Sequence, residues 1–350
     1  MIYIVGWGIM LLALLVSEIT RNRSRMPVVF VISLLALLAV FRGAVGTDTN
    51  TYEWMLESVD AGSFSAGVEP SFMALGWFFK ALTGSAVGAV RLFSLVLFLV
   101  ILYYALHSNR NERFYLLSCF LPSFIYQYSM NTLRLGLASV FILLAFQYVR
   151  RYRYSRCAVL SVVALTFHYS SIANLAYLMV VRMRWGRWTN LLIGLSFVLV
   201  AGALMAVNID YFAMKLDAYR AVAAPGEFSG LSKVALIAVM TLAVLGAKIP
   251  RGEKFKLLLL TVLLTGVSMA MASVSYAGLR FLDLISFVFP LAVVVIYNDN
   301  DLLLDGAVKV GLTLVGLIAM ISSYRNYVFE AGQGPSPFLP YHLLDLFGRF

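Results

Sequence analysis

The sequence has few charged residues and few cysteines. Of its 350 residues, 13% are charged and 61% are hydrophobic. Soluble domains carry about 25% charged residues, so this composition argues against a soluble globular fold. Its two cysteines, Cys119 and Cys157, lie inside or at the edge of apolar runs. We interpret both as packing residues, since two such positions provide neither a disulfide framework nor a zinc site.

The sequence also lacks a basic soluble domain, although its formal net charge is +10. The basic residues fall in short clusters between apolar runs, which is typical of cytoplasmic loops, and we expect no nucleic-acid partner. The first residues lack the positive charge of a signal peptide, whereas Arg21, Arg23 and Arg25 follow the first apolar stretch. This order predicts a retained first helix with its N terminus outside the cytoplasm.

Long apolar runs dominate the chain instead, and about 18 apolar residues are enough for a transmembrane helix. We predict an all-α polytopic membrane protein with about 12 transmembrane helices. No internal repeat or low-complexity linker divides the chain, so we treat 1–350 as one transmembrane domain. The predicted spans are 2–19, 27–41, 87–106, 113–129, 131–149, 155–168, 170–182, 189–208, 231–248, 254–274, 279–297 and 306–322.

The basic residues also set the predicted orientation. With the N terminus outside, most lysines and arginines fall in inside loops, as the positive-inside rule requires. The segment 69–84 is too short to cross and contains Lys80, so we predict an interfacial helix on the outer face. The long outer segments are then 42–86, 209–230 and 323–350.

Polar motifs collect at the outer ends of these spans. They read VFRGAVGTDTNTY at 40–52, SMNTLR at 129–134, FHYSS at 167–171, SYAGLRFLD at 275–283 and PYH at 340–342. Three arginines would therefore lie at one membrane face. Because guanidinium groups bind phosphate oxygens bidentately and stay charged, such a set would bind a lipid diphosphate. A nearby histidine or carboxylate could take a hydroxyl proton.

Each of these candidate residues also has a structural interpretation, which for Arg134 is a purely structural role at the start of a helix. Arg42 could mark the membrane edge and snorkel towards the headgroups. Arg280 could form a local pair with Asp283. Helix capping is the alternative for Asp48 and Glu69, and simple packing is the alternative for His168.

The motifs FRGAVGTDTNTY, NTLRLGLA, TFHYSS, YAGLRF and a terminal PY, in this order, resemble the EpsG-like branch of Wzy-type polysaccharide polymerases. The resemblance covers about Arg42 to Tyr341. It implies a GT-C-like membrane glycosyltransferase in the bacterial inner membrane, with the outer segments in the periplasm. Such enzymes join undecaprenyl-diphosphate-linked oligosaccharide repeats for O-antigen, capsule or exopolysaccharide.

The resemblance also implies roles for particular residues. Arg42, Arg134 and Arg280 would contact the diphosphate, and Arg134 and Arg280 are the foremost of these. His168 or Asp48 would be the base for the acceptor hydroxyl, and Glu69 is a further candidate. The residues expected at the glycan are Tyr52, Asn131, Tyr276 and Tyr341.

The implied partners are the lipid-linked oligosaccharides, the bilayer and a chain-length-determining co-polymerase. If arginines stabilise the leaving diphosphate, no metal and no cofactor is needed.

Three alternatives stay open at the level of the sequence. NDND at 298–301 resembles an acidic pair that holds a metal for nucleotide-sugar donors. A lipid-oligosaccharide flippase would also have many spans and buried charges, although transporters often show inverted repeats. A ligase acting on lipid A shares the same donor, and an acyltransferase that decorates sugars is a further possibility.

Overall fold

The computed structural model describes residues 2–21, 23–58, 68–183, 229–328 and 338–344, with scattered positions between 199 and 217. Regular secondary structure in these residues is helical. The helices are α1 (Ile2–Ile19), α2 (Met26–Val40), α3 (Thr49–Glu57), α4 (Pro70–Thr83), α5 (Ala86–Leu106), α6 (Arg110–Tyr115), a π-helical turn (Leu116–Phe120), α7 (Leu121–Met130), α8 (Leu133–Arg150), α9 (Tyr154–Phe167), α10 (Ser171–Arg182), α11 (Leu231–Leu245), α12 (Arg251–Ala272), α13 (Tyr276–Asp299) and α14 (Gly306–Val328).

In the part of the chain that the structure describes, six helices are long and apolar enough to cross a membrane: α1, α5, α8, α12, α13 and α14. Four shorter apolar helices are α2, α9, α10 and α11. The predicted span 113–129 lies in the continuous run formed by α6, the π turn and α7, and the predicted span 189–208 lies outside the described residues. Each other predicted span coincides with a helix. This set of apolar helices is that of a multi-pass membrane protein.

The chain divides into two compact units. Unit 1 contains 1–65, 69–168 and 312–350, and unit 2 contains 66–68 and 169–311. The interpretation of 1–350 as a single transmembrane domain stays a prediction.

In unit 1, α8 is the most buried of the long helices, with 83% of its apolar window inside the protein. A helix that is apolar on all sides belongs in the centre of a bundle. It packs against α5, α7 and α9. The two ends of α8 therefore lie beside the ends of neighbouring helices. Arg134 is in its first turn and Arg150 is its last residue.

Within unit 1, the π turn makes a close contact with the part of α14 that belongs to this unit. A Cβ added at Gly316 would overlap the carbonyl oxygen of Ser118, which lies in the turn. Glycine allows the two backbones to approach at this point.

The segment α4 is helical where 69–84 was predicted to form an interfacial helix. Its buried side includes Phe72 and Phe79, whereas Trp77 and Phe78 are exposed. An exposed aromatic pair next to a buried face is typical of a helix at a membrane surface.

Unit 2 is built around α13, of which 78% of the apolar window is buried. Asp299, the first acid of NDND, accepts from Arg182 Nε at 2.5 Å and from Nη2 at 3.1 Å. Asp299 therefore has an ion-pair partner at the end of α10. Within the described ranges, no group of three or more His, Cys, Asp or Glu side chains could hold a metal ion.

Candidate functional site

The loop after α2 is held against the break between α7 and α8. The Asn131 side-chain oxygen accepts from Thr47 Oγ1 at 2.5 Å and from the Asp48 backbone N–H at 2.9 Å. Gly46 has φ +102°, and the Met130 carbonyl oxygen fills the space that a Cβ would need there. Glycine is thus required by backbone conformation and by the close contact.

Arg42 is fully buried where this loop begins. Its Nη1 donates to the Ala39 carbonyl at 2.6 Å and to Ser94 Oγ at 2.8 Å. Burial, followed by the nearby charge of Arg91, lowers the pKa of Arg42 to about 9. The snorkelling interpretation of Arg42 is therefore wrong, because the guanidinium points into protein.

Two other guanidinium nitrogens of Arg42, Nε and Nη2, have no hydrogen-bond partner among the described residues. Its contact with a diphosphate stays a prediction.

Arg91, which the sequence analysis missed, fixes the same loop from α5. Its Nε donates to the Arg42 carbonyl at 2.9 Å and its Nη2 donates to the Gly43 carbonyl at 2.8 Å. Its side chain also pairs with Glu53 at 3.1 Å. The signal that could have identified it is its position as the lone charged residue of an apolar helix, since such charges are costly and need partners.

The end of the described chain also binds this loop. The Gly43 N–H donates to the His342 carbonyl and the Leu344 N–H donates to the Phe41 carbonyl, each at 2.8 Å. The terminal PYH motif and the first motif, 40–52, are therefore neighbours in space. Their order in the sequence did not predict this contact.

Three ionisable side chains from three helix ends meet in unit 1. Glu69 directly precedes α4, Arg134 lies in the first turn of α8, and His168 directly follows α9. Glu69 Oε2 lies 2.5 Å from Arg134 Nη1, and Glu69 Oε1 lies 2.8 Å from His168 Nδ1. We call these three residues the Glu69 cluster.

Burial within the cluster is uneven. The Glu69 side chain is 0% exposed, whereas those of Arg134 and His168 are 16% and 18% exposed. An isolated buried carboxylate is costly, and a partner on each oxygen offsets that cost. The two partially exposed groups are the ones that a substrate could reach.

The contact with Glu69 also sets the orientation of the His168 ring. A carboxylate at Nδ1 favours the tautomer that carries its proton there, and the basic lone pair then lies on Nε2. The arrangement is that of a base held in position by an acid.

Aromatic rings support the cluster from one side. The Arg134 guanidinium carbon lies 5.6 Å from the Tyr52 ring centroid and 5.7 Å from that of Phe72, within cation–π range. Burial raises the pKa of Tyr52, so its phenol stays neutral. Ser71 Oγ and Thr166 Oγ1 lie 2.8 Å apart and connect the start of α4 to the end of α9.

The side chains of Asp48 and Glu69 do not cap helices, so the capping interpretation is wrong for both. Asp48 and Glu69 occupy the N-cap positions of α3 and α4, yet neither side chain makes a cap hydrogen bond. Glu69, placed behind His168 and Asp48 in the sequence analysis, is the centre of the cluster. His168 bonds to Glu69 through Nδ1, so simple packing does not describe it.

The residues predicted in SYAGLRFLD lie in unit 2. Arg280 is exposed in the first turns of α13, and Tyr276 is the first residue of that helix. Asp283 pairs with Lys233 Nζ at 2.8 Å, so the local Arg280–Asp283 pair is wrong. The diphosphate contact of Arg280 and the glycan contact of Tyr276 stay predictions.

The other residues predicted to contact a glycan have partners within the protein. The Tyr52 ring is buried beside Phe72, and Asn131 holds the loop described above. The Tyr341 hydroxyl donates to the Leu38 carbonyl at 2.6 Å, and burial raises its pKa. Their glycan contacts also stay predictions.

A comparison with protein families places these residues in a wider context. The family model described as EpsG matches residues 25–343, a range that contains the whole Glu69 cluster. Comparison with curated proteins gives no match, and neither does comparison with solved structures. Since the matched range covers most of the chain, this multi-pass protein belongs to the EpsG family, and its membership indicates a glycosyltransferase-like polymerase function in exopolysaccharide or O-antigen synthesis.

Proposed function

We propose that this protein is a Wzy-type polysaccharide polymerase that joins oligosaccharide repeats carried on undecaprenyl diphosphate. The observation that supports this most is the buried Glu69 carboxylate, which holds a histidine and an arginine at once. A positioned base and a fixed cation are the two groups that such a transfer needs.

His168 is the proposed base. Its Nε2 takes the proton of the acceptor sugar hydroxyl, whose oxygen forms a bond to the anomeric carbon of the donor glycan. The bond from that carbon to the diphosphate oxygen breaks, and its electron pair stays on the leaving diphosphate. Glu69 stabilises the protonated imidazole through Nδ1, as an orienting acid does for a catalytic histidine.

Arg134 is the proposed cation for the leaving diphosphate. A guanidinium carries five N–H donors, so one group can hold a carboxylate and phosphate oxygens together. A fixed donor aimed at developing negative charge contributes about 3–4 kcal/mol to transition-state stability in a dry site. This contribution needs no metal, and we propose a metal-independent reaction.

The finer placement of the enzyme belongs to the same proposal. We place it in the bacterial inner membrane with about 12 spans and a GT-C-like fold, with the Glu69 cluster at the periplasmic face and α4 in the outer interface. The exposed Trp77 and Phe78 of α4 support that interface position. A chain-length-determining co-polymerase is the expected protein partner.

Reconstitution of the purified full-length protein with a purified lipid-linked repeat tests the function. We expect glycans of several repeats and released undecaprenyl diphosphate, and we expect His168→Ala to lower kcat by about 10²–10⁴-fold with little change in KM. His342→Ala is the matched control, because the exposed His342 contributes only its backbone carbonyl to the loop contact.

Other products would contradict the proposal. Substrate moved across the bilayer without extension would indicate a flippase, and transfer of one glycan to lipid A alone would indicate a ligase. Extension at the wild-type rate by His168→Ala would remove His168 from the mechanism.

A further inference from the structure

A polar cavity lies in unit 1 at the end of α8 that is far from the Glu69 cluster. Its volume is about 660 Å³, and its lining includes Arg150 and Arg151, which end that helix or directly follow it. Because α8 runs from Leu133 to Arg150, about 24 Å of helix separates Arg134 from Arg150. The cavity is therefore distinct from the Glu69 cluster.

The described lining of this cavity is strongly basic. Three separate segments of the chain contribute six arginines, and no acidic residue is among the described lining residues. The arginines are Arg23, Arg25, Arg110, Arg113, Arg150 and Arg151. We call this feature the arginine cavity.

Glu112 organises one side of the arginine cavity. It is buried, and its carboxylate accepts from Arg150 Nε at 3.1 Å and from Arg150 Nη2 at 3.2 Å. Glu112 contributes one negative charge beside a lining that contains six arginines. Arg113 is acted on by the like charge of Arg25, by the opposite charge of Glu112 and by the like charge of Arg110. Such crowding of cations favours an anionic ligand.

A mainly apolar groove beside α8 and α9 lies next to the arginine cavity. The centroid of the Tyr103 ring in the groove lining lies 4.3 Å from that of the His107 ring in the cavity lining. The volume of the groove is about 460 Å³, and its lining includes Leu144, Tyr148, Val159 and Leu160, with Arg156 as its one charged residue among those described. Tyr148 connects the two features, because the Arg151 guanidinium carbon lies 6.0 Å from its ring centroid. Leu144 lies one turn further from the helix end than Tyr148, so the groove extends towards the apolar part of the bundle.

We infer that the arginine cavity binds the phosphate of an anionic phospholipid and that the groove holds one of its acyl chains. Charge complementarity selects the headgroup, and the adjacent apolar groove selects a lipid over free phosphate. This site is separate from the proposed polymerase reaction and does not depend on it.

The positive-inside rule alone does not account for the arrangement. That rule requires basic residues near helix ends but not their convergence on one cavity. Here arginines from three separate segments line the same space, and one of them, Arg113, is almost fully buried.

Titration of the full-length protein in neutral detergent tests the inference. The probes are phosphatidylglycerol, phosphatidylcholine and inorganic pyrophosphate, each measured as a dissociation constant. The variant Arg25→Gln/Arg110→Gln removes two exposed cations of the lining. Since one basic residue contributes roughly fivefold at a membrane surface, we expect phosphatidylglycerol binding to weaken by about 30-fold.

The matched control is Arg153→Gln/Arg251→Gln, which removes two exposed arginines outside the cavity lining. We expect less than about threefold weakening from it, because screened charges outside the site contribute little. Equal weakening by the two double variants would overturn the site, since only net charge would then matter.

A groove variant distinguishes a lipid from free phosphate. Val159→Trp fills the groove at a position that is 62% exposed, and Val162→Trp changes an equally exposed position of α9 outside the groove lining. We expect Val159→Trp alone to weaken phosphatidylglycerol binding, with pyrophosphate binding unchanged. Unchanged phosphatidylglycerol binding in Val159→Trp would overturn the lipid as occupant.

Discussion

Glu69 and His168 lie 99 residues apart in the chain, and His168 Nδ1 lies 2.8 Å from a carboxylate oxygen of Glu69. The other carboxylate oxygen binds Arg134. One buried acid therefore fixes both groups to which we assign chemistry. A change at Glu69 should consequently affect the base and the cation together.

Substitutions of Glu69 separate its charge from its volume. Glu69→Gln keeps the size and one acceptor oxygen but removes the charge that stabilises a protonated His168, so we expect polymer formation to fall by about 10²-fold or more. Glu69→Ala leaves the side chains of Arg134 and His168 without their carboxylate, and we expect the free energy of unfolding to fall by about 3–5 kcal/mol. Activity assays and thermal unfolding in detergent measure the two effects.

Glu57→Gln is the control for that pair, because Glu57 is exposed at the end of α3. It should leave the activity and the melting temperature unchanged. Wild-type polymer formation by Glu69→Gln would contradict the role of the carboxylate.

Substitutions of Arg134 test whether the planar shape of its guanidinium group matters as well as its charge. Arg134→Ala should lower kcat by about 10²–10³-fold, since a fixed donor to the leaving group is lost. Arg134→Lys keeps the charge but not the planar fork, so we expect only partial recovery. Steady-state kinetics with the purified lipid-linked repeat measures both variants.

Combining Arg134→Ala with Glu69→Ala adds a second measurement. Their effects on stability should be non-additive, because the two side chains are in contact. Arg153→Ala, at an exposed position outside the cluster, is the control. Additive effects would show that the pair is not coupled.

Gly46 tests the packing of the first motif against Met130. Gly46→Ala introduces both an unfavourable positive φ and an overlap with the Met130 carbonyl oxygen. Gly84→Ala introduces only the first of these, since φ is +71° there and a Cβ would meet nothing within 4 Å. The φ change costs about 1 kcal/mol, so Gly84→Ala should destabilise by about that amount and Gly46→Ala by more.

Thermal unfolding of the two variants provides the comparison. Equal melting temperatures would mean that the Met130 contact does not constrain the loop.

Arg280→Ala should abolish polymer while leaving the protein in the membrane. The side chain is exposed, and it has no ion-pair partner in the part of the chain that the structure describes. Surface substitutions of this kind usually change stability by less than about 0.5 kcal/mol, so a loss of polymer would report on ligand binding. Polymer length and membrane level should be measured together with those of Arg251→Ala, an exposed arginine of α12. Normal polymer in Arg280→Ala would exclude the predicted contact.

The membrane character and most helix positions followed from local composition. The uncharged stretch 27–41 became α2, and the lone Lys80 in a short apolar segment became part of α4. Hydrophobic periodicity and hydropathy are properties of a single segment, so they can be read directly from the sequence and predict where helices lie. The division of the run 110–130 by a π turn did not follow, because one extra residue per turn leaves no strong compositional signal.

The sequence predicted only part of the candidate site. Its residue types were recognisable, since Arg134 and His168 are polar groups at the ends of apolar helices. Their pairing through Glu69 was not recognisable, because Glu69 before Pro70 is also a typical helix start. Arg91 was not predicted as a site residue, because the polar motifs lie at helix ends whereas Arg91 lies inside α5.

The sequence by itself determined a multi-pass helical protein with an excess of positive charge and a small set of polar groups at helix ends. Only the tertiary structure decided which of those groups meet, and it placed Arg42 in a buried loop contact and Arg134 beside Glu69. The physical reason is that hydropathy is a property of each segment, whereas a buried charge is tolerated only where folding brings a partner from a distant segment to within hydrogen-bond distance.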